Sequence, residues 1–222
     1  MSDTAVSNNI PAAGRNDTLP LVFLIAEFVI LGGSLILAHD RLVWVLEVAP
    51  ILIGLPILLF TYRRFQLTNF IYFLLVVHSA ILATGGIYTY ALTPFGFWMQ
   101  DWFGFARNHY DRIGHFAQGF IPALLTREIL IRTSPLRKGK WLSFIVIAFC
   151  LAISAMYELL EFSYAVSIRA SAESFLGSQG DVWDAQWDMT FALFGAIVAV
   201  ISLSWLHDRF LKKIGQRVKY DE

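Results

Sequence analysis

Acidic side chains and one histidine recur at helical spacing in three separate stretches of the chain. The pairs are Asp111 with His115, Glu158 with Glu161, and Asp184 with Asp188. Side chains three or four positions apart share one face of a helix, so each pair presents neighbouring polar groups. A histidine beside a carboxylate is suited to general acid–base catalysis or to orienting a metal ligand. The residue types therefore indicate a candidate catalytic or ion-binding centre.

The loop before the third pair adds further oxygen donors. Asp181 lies three residues before Asp184, among glycines that let the backbone approach a ligand closely. Hard divalent cations prefer oxygen ligands, and zinc accepts them together with a histidine. The spacing matches no EF-hand, HExxH or Walker pattern. A divalent metal is therefore a hypothesis that rests on the donor types alone.

These observations define three overlapping sets of candidate residues. The catalytic candidates are Asp111, His115 and Glu158. The candidates for substrate or ion binding are Gln118, Glu161, Asp181, Asp184 and Asp188. The candidates for a metal site are Asp111, His115, Glu158, Asp184 and Asp188.

The composition indicates the kind of protein that must position these residues. Of 222 residues, 57% are hydrophobic and 15% are charged, against about 25% charged in an ordinary soluble chain. Lys+Arg and Asp+Glu both number 17, so no basic surface indicates nucleic-acid binding. A single cysteine, Cys150, excludes an internal disulfide and an all-cysteine metal site. The chain is predicted to be a polytopic membrane protein.

Six apolar stretches are long enough to cross a bilayer, which takes about 20 residues each. They cover residues 21–38, 43–62, 70–90, 112–131, 141–164 and 189–206. The predicted fold is an all-α bundle of six spans at residues 20–210. A disordered tail is predicted at residues 1–19 and a basic tail at residues 211–222.

Lysine and arginine in the loops predict the orientation. Most of them fall beside the chain termini and in the loops after the second and fourth spans, so both termini are predicted to be cytoplasmic. The three polar pairs then meet at one level near the external surface. Their like charges need compensation, for which the sequence offers Arg112 and a protonated His115. The aromatic-rich connection at residues 93–110 is predicted to lie along that surface as a short amphipathic or re-entrant segment, either as a lid over the polar pocket or, more simply, as an aromatic belt at the interface.

Other polar residues inside the spans have simpler interpretations. Arg127 and Glu128 are expected to be paired or to reach the interface. His78 is expected to bond a neighbouring helix, and Ser154 its own helix backbone. Glu27 and Glu47, each alone in its span, are expected to find partners inside the bundle.

Three blocks of sequence resemble the YjdF-like family of bacterial inner-membrane proteins. They are YDRIGHFAQG at 110–119, SAMYELLE at 154–161 and GDVWDAQWDM at 180–189. The resemblance extends over nearly everything after the N-terminal tail. It implies a multi-pass protein of the bacterial cytoplasmic membrane and supplies no reaction.

The same blocks are more distantly similar to VanZ-like membrane proteins, which are associated with glycopeptide-antibiotic resistance. The matching residues are Asp111, His115, Phe116, Glu158 and Asp184. Glu161 stands where those proteins usually have a glutamine, and Asp188 where they have an asparagine. Both departures make this site more acidic.

Three functional hypotheses follow. The first is an envelope protein whose external pocket binds a lipid-linked or small amphipathic substrate, with a metal-assisted hydrolase or transferase activity as one form. The second is a proton- or cation-coupled transporter, which polar groups near both membrane faces would favour. The third is a structural subunit whose polar groups specify helix packing. Membrane lipid is the expected surrounding partner, and the oligomeric state is left open.

Overall fold

The computed structural model describes residues 18–168 and 179–213, and within these ranges the chain forms helices and no strands. The helices are α1 (Thr18–Leu37), α2 (Arg41–Glu47), α3 (Ala49–Thr61), α4 (Asn69–Tyr88), α5 (Pro94–Phe103), α6 (Tyr110–Thr133), α7 (Lys140–Ile168) and α8 (Asp184–Lys213). The predicted all-α class is confirmed.

Four helices are both long and apolar enough to cross a membrane: α1, α4, α7 and α8. The bent pair α2 and α3 makes a fifth span if its two parts count as one. Helix α6, with 24 residues, is about 36 Å long, but it is less apolar than these helices and is not among them. Six spans and cytoplasmic termini therefore remain predictions.

The second predicted span is not one continuous helix. It breaks at Val48, where α2 and α3 meet at an angle of 55°. Pro50 lies in the first turn of α3, where its missing N–H costs nothing. Asp40 begins α2 by accepting hydrogen bonds from the backbone N–H groups of Leu42 and Val43.

The ends of the membrane domain also differ from the prediction. Helix α1 begins at Thr18, inside the predicted 1–19 tail, and α8 continues to Lys213, past the predicted boundary at 210. Residues 1–17 and 214–222 of the two predicted tails lie outside the described residues, as do Gly177 and Ser178 of the loop before α8.

Helix α6 is the centre of the bundle because it packs against α4, α7 and α8. Its contact with α8 is the most extensive between described helices. Small residues permit this approach: a Cβ at Gly119 would collide with the carbonyl oxygen of Ala192, and one at Gly195 with that of Phe116. The two backbones thus lie too close for larger side chains, which holds the ends of α6 and α8 in fixed register.

Helix α5 packs less closely and presents apolar rings outward. Pro94 lies in its first turn and Gly104 ends it in the left-handed conformation. Its exposed aromatic side chains are Phe95, Phe97, Trp98, Trp102 and Phe103. The predicted amphipathic segment is therefore a helix, with a face suited to a lipid interface.

Candidate functional site

The first turns of α6 and α8 and the later part of α7 bring the candidate residues together. Asp111 and His115 occupy one face of α6, Glu158 lies on α7, and Asp188 lies one turn into α8. The register set by the α6–α8 contact places these side chains side by side. We call Arg107, Asp111, Arg112, His115, Glu158, Asp181, Asp184 and Asp188 the His115 cluster.

His115 lies among three carboxylates from three helices. Its Nε2 atom is 3.5 Å from an oxygen of Asp111 and 3.7 Å from an oxygen of Asp188. Its Nδ1 atom is 4.0 Å from Oε1 of Glu158. The proximity expected from the sequence is therefore present, although the distance to Glu158 is too long for a hydrogen bond.

Two atoms in this group are buried without a hydrogen-bond partner among the described residues. They are Nδ1 of His115 and Oε1 of Glu158. A buried polar atom without a partner costs about 1–3 kcal/mol. A polar group of a ligand that reached both atoms would remove this cost.

Two arginines neutralise the other side of the cluster. Arg112 contacts Asp188 directly, lies 2.8 Å from Asp184 and is 3.4 Å from Asp181. Arg107 lies 2.8 Å from Asp181 and 3.0 Å from Asp184. Because Asp181 and Asp184 are engaged by arginines, they act here as counter-ions.

Arg107 is a third cation at this site, whereas the sequence indicated only Arg112 and His115. Its position in the connection before α6, at the same end of the bundle as Asp181, could have indicated this pairing. Arg112 pairs with aspartates and has no ion pair with Glu158 or Glu161. Burial, and then Arg107 and Arg112, lower the pKa of His109.

Hydrogen bonds between two connections hold Arg107 in place. Gln179 donates to the carbonyl oxygen of Asn108 at 2.8 Å, and its own side-chain oxygen accepts from the Asn108 N–H at 3.2 Å. The Asn108 side chain donates to the carbonyl oxygen of Thr93 at 2.9 Å. The 104–109 connection is thereby attached both to the start of α5 and to the segment that begins α8.

A cavity of about 380 Å³ opens beside the cluster between α3, α4, α6 and α7. Asp111, His115, Gln118 and Glu161 line it, all of them predicted from the sequence. Its remaining polar lining was not predicted as part of the site: Glu47, His78, Tyr90 and Tyr157. Apolar side chains complete the wall, among them Ile53, Leu82, Ile153, Met156 and Leu160.

Three expectations about isolated polar residues are wrong. The Nε2 atom of His78 has no partner among the described residues, so this histidine does not bond a neighbouring helix through that atom. The hydroxyl of Ser154 is likewise buried and unpaired and does not bond its own helix backbone. Glu47 lines the cavity instead of resting in a closed pair. The sequence does not indicate which groups lie opposite a single polar residue in a span.

Three residues of the cluster lie close enough together to hold a metal ion. One potential ligand atom each from Asp111, His115 and Asp188 lies within 4.8 Å of the other two. Glu158 and Asp184, predicted as further ligands, are not part of this group. The nearest protein donor to Asp188 is Arg112, so a metal would share that carboxylate with an arginine.

A second ion cluster joins the other ends of the same helices. Glu128 accepts hydrogen bonds from the N–H and hydroxyl of Thr68 and lies 2.6 Å from Arg132 and 2.9 Å from His207. Arg127 contacts His207 at 3.1 Å and Asp208 at 2.8 Å. Arg127 and Glu128 are each paired, as expected, with other residues of this cluster. We call these six residues the Glu128 cluster.

Comparison with known proteins agrees with the membrane architecture. The model of a family described as "Predicted membrane protein (DUF2238)" matches residues 19–209. The chain is 49% identical over 178 residues to the inner membrane protein YjdF of Escherichia coli K12, covering 80% of this chain and 85% of that protein. No solved structure matches.

These matches confirm the predicted resemblance to YjdF-like proteins and the location in the bacterial inner membrane. Similarity to VanZ-like proteins stays a prediction, since neither match concerns that group. Because the family model covers nearly all of the described helices, the chain belongs to the DUF2238 family of membrane proteins.

Proposed function

We propose that this inner-membrane protein binds an amphipathic or lipid-linked envelope substrate in the cavity beside the His115 cluster. The cluster then acts on the polar part of the substrate, as acid–base groups or as ligands of a divalent cation. Two observations carry this proposal: His115 Nδ1 and Glu158 Oε1 are buried and unpaired, and His115 lines a cavity of about 380 Å³. A fully paired cluster without a cavity would have indicated helix packing alone.

In the acid–base form, His115 exchanges a proton with the substrate. Asp111 and Asp188 lie near Nε2 and stabilise the charged imidazolium, so Nδ1 is the atom left free to face the substrate. Glu158 lies beside that nitrogen and can take up or return a second proton.

In the metal form, Asp111, His115 and Asp188 supply the protein ligands. Zinc takes histidine nitrogen and carboxylate oxygen at about 2.0–2.2 Å, so modest rotations of side chains already within 4.8 Å of one another would close the site. Three protein ligands leave a position open for water or substrate, as in catalytic zinc sites.

The metal form is tested by thermal unfolding of the purified protein with Mg²⁺, Ca²⁺, Mn²⁺ or Zn²⁺. A bound ion stabilises by about 2.7 kcal/mol at one hundred times its dissociation constant, and the gain grows with concentration. We expect His115→Gln and Asp111→Asn to abolish this gain. Asp184→Asn, which removes a counter-ion of the arginines, and Glu27→Gln should retain it. Stability indifferent to all four ions would reject the metal form.

The predicted orientation is tested by cysteine labelling on a Cys150→Ala background. Val182, 84% exposed, and Arg137 lie at opposite ends of the bundle. An impermeant reagent added to intact cells should label Val182→Cys and spare Arg137→Cys. The reverse pattern would put the cavity on the cytoplasmic side and exclude an external substrate.

A cation-coupled transporter is the second candidate, because carboxylates from α2, α6 and α7 line the cavity. Transport needs a polar path to the opposite face. None of the described residues of the Glu128 cluster lines this cavity, which supports a one-sided pocket over a pathway.

A further inference from the structure

The charge of the cavity lining restricts what the cavity can bind. Three of its described lining side chains are carboxylic acids: Glu47, Asp111 and Glu161. The described lining of the cavity contains no lysine and no arginine. Arg107 and Arg112 lie close by but are engaged by Asp181, Asp184 and Asp188 and do not face this space. His115 also lines the cavity and lies 3.5 Å from Asp111, so its positive charge when protonated is matched by that carboxylate. Glu47 and Glu161 have no lysine or arginine beside them in the lining, so an anionic head group would meet acidic groups there without a compensating cation.

His78 adds an independent observation. It is 8% exposed, lines the same cavity from α4, and its Nε2 has no partner among the described residues. A cation bound beside these carboxyl groups favours their ionised form, which accepts hydrogen bonds, and the unpaired His78 Nε2 adds a further polar atom for the ligand. A ligand that donates several N–H bonds matches this lining, because carboxylates are acceptors only.

The opposite part of the cavity is apolar. Ile53 of α3, Leu82 of α4 and Met156 of α7 contribute to a wall of aliphatic side chains. A volume of about 380 Å³ falls at the lower end of the range for small-molecule sites. The space suits one small polar head and part of a single alkyl chain.

From this combination we propose that the cavity binds a cationic amphiphile, an alkylammonium head on one hydrocarbon chain, with Glu47 and Glu161 as counter-ions. This rests on the proposed function and narrows its substrate class. It also assigns two roles to the acidic residues. Glu47 and Glu161 bind the head group, while Asp111 and Asp188 stabilise the charged form of His115.

The test compares two amphiphiles with the same chain and opposite head groups, decylammonium and decyl phosphate. The full-length protein is placed in nanodiscs of zwitterionic phosphatidylcholine, and retained ligand is counted by native mass spectrometry against empty nanodiscs. The variants are Glu47→Gln and Glu161→Gln. Glu27→Gln is the matched control, because Glu27 is a buried carboxyl that lies outside this cavity.

We expect one decylammonium per protein, bound more tightly than decyl phosphate. Removing one charged acceptor should weaken binding about tenfold or more, and the control should bind as the wild type does. Circular dichroism melting of each variant identifies any that fail to fold. If one cavity variant does not fold, the other still tests the inference.

Two results would overturn the inference. Equal or tighter binding of decyl phosphate shows that the head group is not selected for positive charge. Decylammonium binding unchanged in both glutamine variants shows that it binds elsewhere. In either case, a divalent-ion effect that depends on His115 and Asp111 would leave the proposed function standing. If neither amphiphile is retained and that effect is also absent, the proposed function fails as well.

Discussion

The His115 and Glu128 clusters differ in how completely their polar atoms are paired, although α6 and α8 help to build both. In the Glu128 cluster each carboxylate oxygen of Glu128 has two partners, and both ring nitrogens of His207 are engaged. Glu128 and His207 are 0% exposed. In the His115 cluster, a ring nitrogen and a carboxylate oxygen are buried and unpaired beside a cavity.

This difference separates a structural cluster from a candidate functional one. Buried charges are tolerated when hydrogen bonds satisfy them, and the Glu128 cluster meets that condition without a ligand. The His115 cluster does not meet that condition, because His115 Nδ1 and Glu158 Oε1 have no partner among the described residues. The two lie about 20 Å apart along α6, so each can be altered without direct contact with the other.

The largest expected effect is the loss of Glu128. Glu128→Gln removes the negative charge between Arg132 and His207. Its new NH₂ group, if placed where Oε1 lies, would face two hydrogen-bond donors and no acceptor. We expect a loss of about 3–5 kcal/mol in the free energy of unfolding, measured by thermal or denaturant unfolding in detergent. Wild-type stability in this variant would contradict a structural role for the cluster.

The second effect tests the contact that sets both clusters in register. Gly119→Ala forces α6 and α8 apart, because the new Cβ meets the carbonyl oxygen of Ala192. The expected cost is about 1–3 kcal/mol, together with weaker ligand or ion binding at His115. Gly32→Ala in α1 is the control. A Cβ there has nothing within 4 Å, so that variant should be as stable as the wild type or slightly more so.

Arg107 gives a smaller, local effect. Arg107→Gln leaves Asp181 and Asp184 with Arg112 as their remaining arginine. We expect a loss of about 1 kcal/mol, partly restored in Arg107→Lys, which keeps the charge without the planar donor group. Arg41→Gln, at an exposed position at the start of α2, is the comparison. Equal melting temperatures for the two glutamine variants would show that Arg107 contributes nothing to the cluster.

The smallest expected effect on stability is at Glu158. Glu158→Gln replaces a carboxylate whose Oε1 is unpaired, so no hydrogen bond is lost at that atom and the free energy of unfolding should fall by less than about 1 kcal/mol. Turnover or substrate binding should nevertheless fall, since the lost group faces His115. A destabilisation equal to that of Glu128→Gln would remove the distinction between the two clusters.

The sequence alone determined the helices and much of the candidate site. Apolar runs of membrane-spanning length located the main helices, and spacings of three and four residues put Asp111 with His115 and Asp184 with Asp188 on single faces. These are local properties, since an α-helix repeats every 3.6 residues and a bilayer fixes the length of a span. They were sufficient to indicate that three segments meet at one level.

Only the tertiary structure decided how the polar residues divide between roles. In the folded protein, Asp181 and Asp184 form ion pairs with Arg107 and Arg112. Glu47 and His78 line the cavity, and Glu128 is fully hydrogen-bonded within its cluster. Each outcome depends on which faces of different helices meet and how the connections between them are held. Helical periodicity places a residue on a face of its own helix, but the partner across the interface is set by packing between segments distant in sequence.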